Sequence, residues 1–482
     1  MLYRMAGNSP RKKILFSLLM LTVALLSSCS KGGERADYIL SWKGDGLGVE
    51  VSVRTLSDTL RFSYATENGG VKDQLKWFQD FSVSEGVGKM DSLSRVISFV
   101  PEKGKVGFSY TVRCTLPEGY GSPRGCIMDV FRPDIDSSML FSRTENIFAV
   151  PVDKMDMAVS VRWESVPPYP VFSMYNAGRG TEPFDGKAED IFSSVMAGDP
   201  LLEVDTVMVE GRENYLVTAL RKNPSLNKEQ LKDYFRTFYS TATRFWKDGD
   251  TSPYTMLFFP FRNNTWEATG NGFSNGFMSR YDATADTVLN VSRRDLFTHE
   301  IGHKWIGNGP AWFSEGFNEM QTAYLLVSSG ITEPSYFATY FGNALSGLWH
   351  SPHRNVSGAE AEEKFWEDGQ YIWLQYWRGF CYAFHLAGVY ERETGNPNAW
   401  KAMMDSLRPL IHDFSEEGFL SAMASLMGRE RLERDYRKYI LEGKDFDFFE
   451  KDLPSGCTIE RSPDGEPLFE ITDEAAFAEH FR

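Results

Sequence analysis

Leu296-Phe297-Thr298-His299-Glu300-Ile301-Gly302-His303-Lys304-Trp305 is the stretch on which the reading of this chain turns. It contains the pattern H-E-x-x-H. On a helix, positions four apart share a face, so His299 and His303 point the same way. Two imidazoles at that spacing suit one Zn²⁺, and Glu300 beside them can act as general base toward the water that the metal activates. The chain has only 7 His among 482 residues, with 66 acidic residues. Even if every acid counted as Glu, chance would supply this pattern about 0.014 times in such a chain.

A catalytic zinc needs a third protein ligand and an open fourth position. The chain continues Ile306-Gly307-Asn308-Gly309-Pro310-Ala311-Trp312-Phe313-Ser314-Glu315-Gly316-Phe317-Asn318-Glu319. Gly307 to Pro310 is a helix stop, and Pro310 can open the next helix. If the chain folds back about Asn308-Gly309, then at about 1.5 Å rise per residue Glu315 comes level with His303 and Glu319 with His299. Glu315 is therefore the expected third ligand. Glu319 is expected to take the other ring N–H of His299, the outer contact that metal-bound imidazoles usually make.

Trp312-Phe313-Ser314-Glu315-Gly316-Phe317 resembles the W-x-x-E-G-F segment of gluzincin metallopeptidases, and His303-Lys304-Trp305-Ile306-Gly307-Asn308 resembles their H-x-W-x-G-N. The similar groups are the aminopeptidase N-like and bacterial glycyl aminopeptidase families. The resemblance implies a thermolysin-like zinc peptidase domain with Zn²⁺ on His299, His303 and Glu315. A metzincin would need a third His at 309, where Gly309 stands. Downstream, Gln375-Tyr376-Trp377-Arg378-Gly379-Phe380 resembles the Y-x-K-G-F pattern. There these families carry a Tyr that stabilises the oxyanion, which makes Tyr376 the candidate. A phenol O–H aimed at developing negative charge suits that role, and Tyr371, Tyr382 and Tyr390 lie close enough in sequence to compete for it.

Two departures bear on substrate. Eleven residues separate His303 from Glu315, where the aminopeptidase N-like pattern has about eighteen by that resemblance. The families also carry a G-x-M-E-N-type strand whose Glu grips the substrate amine. The matching place reads Gly272-Phe273-Ser274-Asn275-Gly276, with Asn275 in the position of that Glu. A neutral amide makes no charge-assisted bond to an ammonium group. Aminopeptidase and endopeptidase specificity both stay open.

Outward from this centre the texture divides the chain. Residues 38–222 read as a β-rich region in which Val49, Val51, Val53 and Leu60, Phe62, Tyr64 alternate with polar positions, as in an antiparallel sandwich. After Asn223-Pro224, Asn227 is placed to cap a helix, and Leu231, Phe235, Phe238 and Tyr239 recur at helical spacing. Tyr254–Phe261 reads as a strand. The expectation is α+β: an N-terminal antiparallel β-sandwich-type region, the catalytic domain over 223–395, C-terminal helices over 396–445, and an irregular tail over 446–482.

The first residues bear on location. Arg11, Lys12 and Lys13 precede the apolar run Ile14–Leu26 and then Leu26-Ser27-Ser28-Cys29. A run of 13 is a signal-segment length and is short for a bilayer span. The close resembles a bacterial lipobox, so 1–28 reads as a signal peptide, Cys29 as the lipidated residue and 29–37 as a tether. Ser30, not Asp, follows Cys29, which by resemblance to Gram-negative sorting points to the outer membrane. In an exported chain Cys114 and Cys126, on either side of a Gly/Pro-rich loop, are a candidate disulfide. Cys381 reads as a core residue, and Cys457 has no assignment.

The formal net charge of −15 argues against a nucleic-acid partner. Aromatics at 14% supply ample core. The reading that follows is a lipid-anchored zinc metallopeptidase acting on peptide or protein substrates. The alternatives are a catalytically retired gluzincin fold kept for peptide binding, and a glycan- or nutrient-binding lipoprotein.

Overall fold

Strict alternation of buried and exposed positions in Val49, Val51 and Val53 marks a strand with one face on a core, and these residues lie in β2 (Leu47–Arg54). A computed structural model describes residues 33–64, 74–114, 132–219, 228–260, 268–281, 291–410, 413–448 and 452–482. β2 sits in a six-stranded sheet with β1 (Arg35–Trp42), β4 (Phe78–Glu85), β7 (Lys105–Val112), β11 (Ala158–Ser165) and β13 (Phe184–Lys187), in the order β13-β11-β1-β2-β7-β4. A four-stranded sheet contains β3 (Leu60–Ser63), β5 (Val87–Asp91), β6 (Val96–Val100) and β10 (Val150–Pro151). Another contains β8 (Asp134–Asp136), β9 (Met139–Arg143), β12 (Val171–Ser173) and β14 (Val195–Gly198). Their inner faces share one apolar core that includes Tyr38, Val51, Phe62, Phe108 and Phe141. The pairings are antiparallel except that β1 and β11 run parallel.

The next layer is a mixed sheet of β15 (Leu202–Val209), β16 (Arg212–Ala219), β17 (Thr255–Pro260), β18 (Ala268–Phe273) and β19 (Gly276–Tyr281), ordered β15-β16-β17-β19-β18. Every residue of β17 is buried, because this sheet is covered on both faces. Met256 and Phe258 enter the helical core, while Leu257 and Phe259 enter the sandwich core. The expected boundary at 222/223 therefore needs correction: β15 and β16 precede it but belong to the same sheet as β17, β18 and β19. Arg280 on β19 and Asp134 on β8, both fully buried and 3.2 Å apart, tie the two regions further.

The helices follow. α1 (Lys228–Trp246) holds Leu231, Phe235 and Phe238 on its buried face. After it come α2 (Val291–Gly302), α3 (Ala311–Ser314), α4 (Gly316–Ser328), α5 (Pro334–His350), α6 (Gly358–Glu363), α7 (Gly369–Thr394), α8 (Ala399–Leu407), α9 (Glu416–Met427) and α10 (Arg429–Tyr436). Among the described residues, no helix is long and apolar enough to cross a membrane.

Other expectations change. Arg35–Asp37, read as tether, are the first residues of β1, paired on both sides. The tail after 446 is not irregular throughout: it contains the hairpin of β20 (Cys457–Arg461) and β21 (Pro467–Ile471), then α11 (Glu474–Ala478). Phe469 and Phe477 pack on Phe337. Strands and helices of five residues are too short to show a period among acidic neighbours. Cys381 is buried in α7 and Cys457 half-buried on β20. Cys29, Cys126 and Asn227 lie outside the described residues.

Candidate metal centre

His299 lies in the last turn of α2, and His303 follows its end, with its N–H still bonded to the His299 carbonyl at 3.3 Å. The chain then turns through Gly307–Pro310 into α3. Gly309 sits at φ +115°, which a side chain would strain. Glu315 is the residue between α3 and α4. That fold-back brings ligand atoms of His299, His303 and Glu315 within 4.8 Å of one another.

The ring nitrogens divide their duties. His299 Nε2 lies 3.1 Å and His303 Nε2 3.5 Å from the same oxygen, Glu315 Oε2. On the far sides, His303 Nδ1 lies 3.0 Å from the Ile306 carbonyl. His299 Nδ1 lies 2.7 Å from Glu319 Oε1, a close contact whose N–H is off the line to the oxygen. With each Nδ1 turned outward, both Nε2 atoms converge with a carboxylate, and two imidazoles plus one carboxylate is the donor set of a catalytic zinc. The three residues fit the metal. Burial would push the Glu315 carboxyl up, but the charges of His303 and His299 and their hydrogen bonds hold it well below the ordinary range.

Glu300 is buried beside His299, His303 and Glu315. Burial raises its pKa, against the pull of His303 and His299, and the Gly272 N–H reaches its carboxylate. Gly270 and Gly272 lie on one face of edge strand β18, against α2. A Cβ on Gly270 would stand 2.4 Å from Glu300 Cγ, and one on Gly272 would stand 2.6 Å from His303 Cβ. The sequence reading passed over this G-x-G, though glycines two apart in a strand signal a close approach on one face.

Tyr376 lies on α7 with its ring stacked on His299, centroids 5.4 Å apart and planes 14° apart. Its pKa is raised well above the ordinary value by burial and by the charges of Glu315 and Glu300. The competing tyrosines are engaged elsewhere: Tyr371 stacks on His353, and Tyr382 packs against Trp312. Asn275 is placed differently from the ligand residues. It stands in the Ser274-Asn275 turn between β18 and β19, and its carbonyl takes the Thr255 N–H at 3.0 Å.

Further residues support the centre. Asn318 Nδ2 donates to the His299 carbonyl at 2.8 Å, and a Cβ on Gly302 would collide with Asn318 Oδ1 at 2.0 Å. This binds α2 to α4. The Tyr340 hydroxyl donates to Glu319, and the Tyr336 hydroxyl donates to Asp295 one turn before His299. Burial and the Glu319 charge push the Asp295 carboxyl up to about 8.

No family model and no curated protein matches the chain. Solved structures do. The chain is similar to an aminopeptidase N family protein from Idiomarina loihiensis, with 14% identity over 90% of this chain and 81% of that one, at a TM-score of 0.71. It is also similar to an M1 zinc metallopeptidase from Deinococcus radiodurans, with 13% identity over 88% and 97% of the two chains and a TM-score of 0.54. A Glu-to-Ala mutant of an M1 zinc metallopeptidase from Deinococcus radiodurans, bound to a Tyr-Ser-Ala substrate, aligns at 14% identity over 87% and 95% of the two chains, with a TM-score of 0.55. The chain has the fold of these peptidases: N-terminal β layers, a mixed sheet beside the metal-site helices, and C-terminal helices.

Proposed function

We propose that this chain is a zinc metallopeptidase of the gluzincin type, held in the cell envelope by lipid on Cys29, at the outer membrane of a Gram-negative bacterium. The convergence of His299 and His303 Nε2 on Glu315, with Glu300 buried alongside, carries the peptidase reading. The shared fold supports it, and the lipobox-like Leu26-Ser27-Ser28-Cys29 supports the anchor.

Zinc on His299, His303 and Glu315 would polarise the scissile carbonyl and lower the pKa of the attacking water. Glu300 takes the proton from that water and gives it to the leaving amine, and a carboxyl whose pKa burial has raised suits both steps. The Tyr376 hydroxyl stays protonated and donates to the oxyanion as its charge grows. Among the described residues β18 is the last strand of its sheet, so an extended peptide can add alongside it, while Gly270 and Gly272 let Glu300 and His303 pack against the strand.

A zinc assay combined with a broad peptide-library digest tests the reading. About one zinc per chain and cleavage that a chelator abolishes are expected. A chain that binds zinc and cleaves no peptide in the library would instead be a retired fold kept for binding.

A further inference from the structure

We propose that the end of the N-terminal sandwich at which β1 begins rests in the headgroup layer of the phospholipid membrane. Leu56, Val87 and Val100 are its apolar contacts, and the β-rich region is the base on which the peptidase stands. The inference rests on the lipid-anchor reading of Cys29.

The argument begins with chain length. Glu34 is fixed to the fold: its Oε1 accepts from Thr55 Oγ1 at 2.5 Å, Leu56 N at 3.1 Å and Ser57 Oγ at 3.2 Å, and its Oε2 pairs with Lys154. From Cys29 to Glu34 is five residues in the sequence. A chain of that length spans at most about 17 Å in any conformation. A lipid on Cys29 therefore holds Glu34, and the rim around it, within about two headgroup layers of the acyl chains.

Strand pairing and turn contacts bring that rim together. Arg35 pairs with Arg54 across β1 and β2, and Arg54 pairs with Lys105 on β7. The Thr55 N–H donates to the Gly104 carbonyl at 3.0 Å. Val87 and Val100 face each other across β5 and β6, and a Cβ on Gly86 would stand 2.8 Å from the Val100 carbonyl and 3.4 Å from that of Lys105. The connections carrying Leu56, Val87 and Val100 thus meet at one end of the sandwich. These residues are 87%, 71% and 57% exposed. Exposed Arg54, Lys103 and Lys105 stand among them, where long cationic side chains can lie along apolar surface and reach phosphates. Glu34 pairs with Lys154 and Glu85 with Lys105, and Asp58 and Glu102 are exposed in the same connections, so the contact rests on the apolar side chains and on the anchor, not on net charge. Scattered exposed apolar residues need no explanation. Three at the end where the anchor enters match an interfacial contact.

Leu93 provides an internal control. It is 91% exposed but lies in the β5–β6 turn, at the opposite end of the same sheet. The test uses the full lipidated chain in phosphatidylcholine/phosphatidylglycerol vesicles. Leu56→Cys and Leu93→Cys are each labelled with an environment-sensitive fluorophore, with the labelled parent chain as background for the native cysteines. Nitroxide-bearing lipid should quench the label at position 56 at least about threefold more than the label at 93, the contrast expected between an interfacial and an aqueous site. Equal or weaker quenching at 56, in a chain that floats with the vesicles, overturns this inference and leaves the anchor standing. If the parent chain floats no better than Cys29→Ala, the anchor reading fails and the inference falls with it.

Discussion

Gly316 and Gly379 meet backbone to backbone where α4 crosses α7: a Cβ on Gly316 would stand 2.3 Å from the Gly379 Cα, and one on Gly379 would stand 1.9 Å from the Trp312 carbonyl. Gly316 follows Glu315, and Gly379 lies one turn after Tyr376. The crossing therefore sets the distance between the proposed metal ligand Glu315 and the Tyr376 phenol. Gly379→Ala should cost about 3 kcal/mol, the upper end for overpacking, and should lower turnover more than zinc content. Denaturant melts and a zinc assay on the variant decide it. An unchanged melt with full turnover would show that the helices have slack.

The metal itself is tested by two substitutions. His303→Ala should lose zinc. Glu319→Ala should keep the fold but weaken zinc binding about 10–100-fold, the scale for removing an outer partner of a ligating His. Competition with a chromogenic chelator measures both. Zinc retained stoichiometrically by His303→Ala would mean that the site is elsewhere.

Chemistry separates from binding at Glu300 and Tyr376. Glu300→Gln should hold zinc and fold while losing activity, because only the proton carrier is gone. Tyr376→Phe should lower kcat by roughly 10²–10³ with zinc retained, as for one deleted oxyanion donor. Full turnover in either variant would remove that residue from the mechanism.

Acid stability should report on Glu34. Its hydrogen bond with Lys154, with those from Thr55 and Leu56, lowers its pKa from 4.5 to about 2. A carboxyl depressed in the folded state stabilises the fold above its unfolded pKa, and that contribution disappears as pH falls from 4.5 through 2. Glu34→Gln should thus cost about 1 kcal/mol at pH 7, allowing for solvent screening. Its gap to the parent should narrow as pH drops. Urea midpoints at pH 7, 5 and 3 measure this, and a gap independent of pH would contradict the assignment.

Substrate choice should follow from the Ser274-Asn275 turn, which offers no carboxylate to an ammonium group. Losing a carboxylate–ammonium bond worth roughly 1.5–3 kcal/mol flattens the preference for a free N-terminus by about one to two powers of ten. One fluorogenic peptide, free and N-acetylated, is enough. If only the free form is cleaved, one residue at a time, another acid grips the amine. Glu362 would then be the first to substitute, since its carboxylate already receives the Ala311 N–H beside the site.

What the sequence determined by itself was local. Four-residue spacing puts His299 and His303 on one side of a helix, and the Gly307–Pro310 stop a few residues later returns the chain. The levels of Glu315 and Glu319 could therefore be counted along two short helical rises. Tyr376 could be named only through resemblance, because nothing in its own spacing separates it from Tyr371 or Tyr382. Stacking on His299 required the α4–α7 crossing. The tertiary structure alone decided that β15 and β16 join the catalytic sheet, that Gly270 and Gly272 face Glu300, and that Asn275 sits in a hairpin turn. Strand partners and helix crossings are settled by which surfaces can be buried together across long stretches of chain, and local periodicity carries no record of that choice.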